Sequence, residues 1–253
     1  IVPAKGRPAA RSRVPLGGLP GLPVTYLRWL RPGRVPAVCG KMSYAVRGDK
    51  CAGLRHFIPV VRLLLRCLPL TVVAATALWL RTHDLDRRPM HADEANQAVK
   101  AGELIEAGHY AFDPRDHHGP TLYYAAAVIA RLRGERTLAQ LSETTVRLVP
   151  ALAGTLAVIL LALLGMAAPG GIGRWPALAA ALFLAVSPPA VYYSRYFVQE
   201  TLLATFTLAA FLAARIWWRS GLTRWAVVAG MCAGLMQATK ASAPLFLIVG
   251  AIS

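Results

Sequence analysis

The chain has 253 residues; 56% are hydrophobic, only 16% are charged, and the formal net charge is +16. A soluble globular domain carries about 25% charged residues, so this composition excludes a soluble enzyme and calls for helices that cross a membrane. Residues 1–66 hold thirteen Lys and Arg against the single acid Asp49. Without aromatic interleaving, that basic start reads as a cytoplasmic flank and leaves no nucleic-acid partner.

Residues 1–41 are rich in Pro, Gly and Arg and show no sustained apolar period. They read as a disordered tail or as upstream translation, with Met42 as the start. Residues 42–56 form a cytoplasmic N-terminus. The membrane domain is expected over 57–253. Its spans fall at about Phe57–Leu80, Val146–Ala168, Trp175–Val191, Thr201–Trp218 and Trp225–Thr239, and a sixth begins near Pro244. The apolar stretch Thr121–Leu132 covers only about 18 Å as a helix, short of the ~30 Å hydrocarbon core. It is expected to lie in the interface.

That choice sets the topology. With the N-terminus cytoplasmic, residues 81–145 form a large outer loop, and Arg215, Arg219 and Arg224 cluster on a cytoplasmic turn, as the positive-inside rule requires. The expected fold is all-α: a polytopic helical bundle with interfacial helices in its first outer loop. Cys39, Cys51, Cys67 and Cys232 form no CxxC pair, so they suggest neither a disulfide framework nor a zinc site.

Five of the six histidines and eight acids fall between His83 and His118. The pair Asp93-Glu94 precedes the helical stretch Ala95–Ala107. It reads as a helix cap, with Asp93 as N-cap, or as a general base beside a second acid. His118 precedes the short apolar helix and reads as a turn residue or a hydrogen-bond donor. A further reading groups His91, Asp93 and His117 or His118 as ligands of a divalent metal. Arg195 and Glu200 read as a surface ion pair or, for Arg195, a phosphate ligand. Lys240, closing the fifth span, reads as an interfacial anchor. In this topology all these groups share the outer face, which suits transfer chemistry on a lipid phosphate.

His91-Ala-Asp-Glu, Gly108-His-Tyr, His118-Gly-Pro-Thr-Leu-Tyr-Tyr and Ser194-Arg-Tyr-Phe-Val-Gln-Glu carry a resemblance. The chain resembles the polyprenyl-phosphate-sugar-dependent glycosyltransferases of the C-type fold, in the family 39 or protein mannosyltransferase-like group. Within that group it is most similar to proteins labelled flippase-activity-associated and linked to N-glycosylation. The similarity runs from about residue 57 to the end. That family has more spans, so the chain reads as an N-terminal fragment.

The resemblance implies a membrane glycosyltransferase that moves a sugar from a polyprenyl-phosphate donor to a hydroxyl of a glycan, lipid or protein acceptor. It implies acid/base catalysis by Asp93 with Glu94 as its neighbour. Glu200 stands where the family usually has an Asp. Thr239-Lys240 matches a Thr-Lys that meets the lipid phosphate, with Arg195 as a further phosphate ligand and His118 in the turn before the second interfacial helix. A lipid-linked sugar flippase or its accessory, or a non-functional truncated product, is the rival reading.

Overall fold

A computed structural model describes residues 67–113, 118–167 and 172–252. The segments 1–41 and 42–56, the start of the expected first span and His117 lie outside the described residues. Among the described residues every regular element is helical. In chain order these are α1 (Cys67–Thr82), α2 (Ala92–Ala107), α3 (Thr121–Arg133), a 3-10 turn (Leu138–Gln140), α4 (Glu143–Ala167), α5 (Arg174–Val186), α6 (Pro188–Ser194), α7 (Glu200–Ser220), α8 (Thr223–Gln237) and α9 (Ala243–Ile252).

Among the described residues two helices are long and apolar enough to cross a bilayer: Glu143–Met166 and Glu200–Ser220. The expected span Trp175–Val191 is not one straight helix. It breaks between α5 and α6 with a 61° bend, and counts as a third span only if the bent pair is taken together. The break has a chemical cause. The carbonyls of Leu184 and Ala185 would accept from the N–H groups of residues 188 and 189, but both are proline and have none. Arg81 fills the gap. Its Nη2 donates to Leu184 O (3.1 Å) and its Nη1 to Ala185 O (2.9 Å). Such carbonyls are costly to leave bare in a bilayer. The expected short fifth span, Trp225–Thr239, corresponds to α8, which also has 15 residues, about 22 Å at 1.5 Å per residue.

Helix α3 matches the expected short helix closely. It starts after Pro120 and ends at Gly134, whose φ of 78° lets its N–H turn back to Ala130 O and Arg131 O. Its inner face, Leu122, Tyr123, Ala126, Ala127 and Ala130, is buried. This face packs with Ala98, Ala101 and Leu104 of α2, Val146 and Val149 of α4, and with Phe197 and Leu202. Alanine at so many contact points lets the helices approach closely. The large groups carry most of the apolar burial, at about 1.5–3 kcal/mol for each fully buried side chain. The loop helices α2 and α3 are therefore held against the first turns of α4 and α7, the end of the bundle where the polar residues gather.

Candidate active site

Helix α2 is capped by His91, not by Asp93 as the sequence suggested. The His91 ring accepts from Asp93 N–H (3.3 Å), and His91 N–H donates to the Glu94 carboxylate (3.3 Å). This is a reciprocal cap. It wins because the longer Glu94 side chain reaches back to the start of the helix, which leaves the Asp93 carboxylate outside the cap. Asp93 is 74% exposed, with its Oδ2 3.6 Å from His91 Nδ1.

One residue further on, the helix has turned about 100°, and Glu94 lies on the face of Ala98 and Ala101, fully buried. Arg147 of α4 grips it with two parallel bonds, Nε to Oε1 at 3.0 Å and Nη2 to Oε2 at 3.1 Å. Arg88 Nη2 donates to Oε2 (2.9 Å) and Phe197 N–H to Oε1 (3.0 Å). Arg147 Nη1 in turn holds Leu85 O (2.6 Å), Arg88 O (2.8 Å) and Glu143 (2.9 Å). Burial by itself raises the Glu94 carboxyl pKa. Arg147 and the N–H groups of Phe197 and His91 outweigh it and hold the carboxyl below its ordinary value. This one carboxylate ties α2, α4, the turn after α1 and the segment before α7 together.

Around Asp93 the neighbours are cationic and aromatic. The Arg88 guanidinium lies 5.0 Å from the ring centre of Tyr196 and 5.8 Å from that of Tyr192. The His91 ring is 5.8 Å from Tyr196. Burial, then the charges of Asp93 and Glu94, push the Tyr196 phenol up. Arg195 donates from its two Nη atoms to Leu80 O (3.1 Å) and Asp84 O (2.9 Å). These bonds commit it to the end of α1.

A second polar cluster forms where the first loop meets the end of α8. Lys240 Nζ lies 2.6 Å from Glu200 Oε1. His118 is close enough for its charge to act on the same carboxylate. The loop docks there because residue 119 has no side chain: a Cβ on Gly119 would sit 1.9 Å from Ala238 O. Next to it, the Thr121 and Thr239 hydroxyls are 2.7 Å apart. Gly119→Ala is expected to destabilise the protein by about 1–3 kcal/mol through overpacking against main chain. Thermal unfolding in detergent checks this; an unchanged midpoint contradicts the docking.

Gln97 bridges the two clusters. It lies one helical turn after Asp93, and its Oε1 accepts from Gln199 Nε2 (2.9 Å) and from the Tyr123 hydroxyl. Gln199 directly precedes Glu200. Beneath Glu200 a cavity of about 700 Å³ follows α7 past Thr201, Ala204 and Leu208, with Leu184 and Phe246 in its other walls. Eight residues of helix make it about 12 Å deep. Its lining is mainly apolar, and its charged groups are Glu200 and Arg81.

The structure thus brings Glu200, Lys240 and His118 together, sets Asp93 beside His91, and separates Asp93 from Glu94. Arg147, Arg88, Gln97 and Gln199 were not singled out from the sequence. The available signal was Glu94 itself: an acid in register with Ala98 and Ala101 needs a buried cation. Among the described residues no group of three His, Cys, Asp or Glu could hold a metal. His91 and Asp93 are adjacent, and the third expected ligand, His117, lies outside the described residues.

The chain matches no curated protein and no solved structure. A family profile described as dolichyl-phosphate-mannose-protein mannosyltransferase matches residues 117–252. That is more than half of the chain, and it covers the His118 turn, Glu200 and Lys240. The chain belongs to the dolichyl-phosphate-mannose-protein mannosyltransferase family, and the protein is a membrane glycosyltransferase of the C type.

Proposed function

We propose that the protein moves a sugar of the mannose type from a polyprenyl-phosphate donor to an acceptor hydroxyl on the outer face of the membrane. The observation that carries this reading is the junction at Glu200. Lys240 and His118 converge on Glu200, and Glu200 lines one end of a mainly apolar cavity that runs along α7. A molecule with an anionic head and a hydrocarbon tail matches both parts. Lys240 has three donors and uses one on Glu200, so two remain for phosphate oxygens. Glu200 aims the ammonium.

In this mechanism Asp93 takes the proton of the acceptor hydroxyl. The hydroxyl oxygen attacks the anomeric carbon, the bond from that carbon to the phosphate oxygen breaks, and polyprenyl phosphate leaves with the electron pair. Lys240 and His118 offset the charge that builds on the leaving phosphate. A single displacement inverts the anomeric centre. Asp93 is suited to contact an acceptor because its carboxylate is exposed. We give Glu94 and Arg195 positioning roles, since their polar atoms already hold Arg147 and the end of α1.

Purified protein given labelled polyprenyl-phosphate mannose or the matching nucleotide sugar tests the donor class. Product is expected from the lipid donor alone, and transfer from the nucleotide sugar overturns the proposal. Movement of intact lipid across liposomes with no product would favour the flippase reading. Lys240→Met removes a charge-assisted bond of about 1.5–3 kcal/mol. It is expected to raise the KM for the lipid donor by roughly 10–100-fold, read from initial rates. An unchanged KM excludes Lys240 from the phosphate.

A further inference from the structure

Gln97 sits between the two clusters in a defined orientation. Both groups that donate to its Oε1 are fixed in place: Tyr123 is 0% exposed and Gln199 is 2% exposed. A side-chain amide has one oxygen and two N–H donors. With the oxygen occupied by two donors, the NH2 end is turned away from them. That Nε2 has no hydrogen-bond partner among the described residues, and it is not a buried unpartnered atom. It is an oriented donor open to a ligand.

Its place in the chain says what that ligand offers. Asp93 is one turn away on the same helix face. On the other side Gln199 leads into Glu200, which holds Lys240. A sugar with its anomeric carbon served by Asp93 and its phosphate at Lys240 has its ring beside Gln97. A pyranose ring carries hydroxyl oxygens that accept N–H bonds. We propose that Gln97 Nε2 donates to a ring hydroxyl of the transferred sugar and so reads that sugar. The inference rests on the lipid-phosphate donor reading above.

The test compares binding of polyprenyl-phosphate mannose and of methyl polyprenyl phosphate, a sugar-free diester of the same charge, to wild type and to Gln97→Glu. The substitution keeps an oxygen for Tyr123 and Gln199 but presents no amide N–H. In wild type the sugar is expected to tighten binding about tenfold, the scale of one or two net hydrogen bonds. In Gln97→Glu that advantage is expected to fall within about twofold. Any repulsion of the phosphate by the new carboxylate weakens both ligands alike and cancels in the ratio. Gln97→Leu, read by the same ratio, serves if the Glu variant does not fold. A wild-type sugar advantage in the folded variant overturns the assignment. Failure of wild type to bind even the sugar-free lipid overturns the donor reading instead, and this inference with it.

Discussion

Replacing Glu94 with alanine is expected to destabilise the protein by about 3–5 kcal/mol, the cost of leaving a buried charge without its partner. Arg147 is 1% exposed and would lose both of its Glu94 bonds. Phe197 N–H would lose its acceptor as well. Removing the pair together, as Glu94→Leu with Arg147→Met, is expected to cost much less than the sum of the two single changes, because no fully buried charge is stranded: Arg88 and Glu143, which each lose a partner, are both more than a third exposed. Thermal unfolding of the three variants in one detergent reads this directly; additive losses contradict the hub.

The same hub sets an acid limit. The folded-state carboxyl of Glu94 lies below its ordinary value, so the folded protein binds fewer protons there than the unfolded chain. Its contribution is fully present above the unfolded pKa of about 4.3 and is lost as pH falls through the lower folded value. The unfolding midpoint is expected to drop across that window, and Glu94→Gln is expected to flatten the drop.

The neighbouring acid is expected to behave in the opposite way. Asp93→Asn keeps the shape of the side chain, disturbs no buried bond, and should leave the unfolding midpoint within experimental scatter. If Asp93 takes the proton from the acceptor, turnover falls about 10²–10⁴-fold, the usual contribution of a general base. The loss should appear in kcat, because the proposed site for the lipid donor lies elsewhere, at Lys240 and His118. Two adjacent carboxylates then divide the work: one supports the loop, the other does chemistry.

That division was only partly legible in the sequence. Asp93-Glu94 announces itself as a pair of acids outside a span, but the pair by itself does not say which is buried. The spacing of Glu94, Ala98 and Ala101 along one helix face carried the answer, and its partner Arg147 lies 53 residues away. Gln97 and Gln199 are likewise separated by 102 residues, and no propensity links them. The short helix at Thr121–Arg133 was readable because its length is set by Pro120 and Gly134. The bend after Val186 was signalled by Pro188-Pro189, but the apolar run on both sides masked it. The capping of that bend by Arg81, which sits at the end of a different helix, is a matter of packing alone.

The most direct test of the account is transfer from polyprenyl-phosphate mannose by purified Asp93→Asn, measured beside wild type under saturating lipid donor. The account expects an intact fold, normal donor binding and turnover reduced at least about a hundredfold. Near-normal turnover by a folded Asp93→Asn would contradict it.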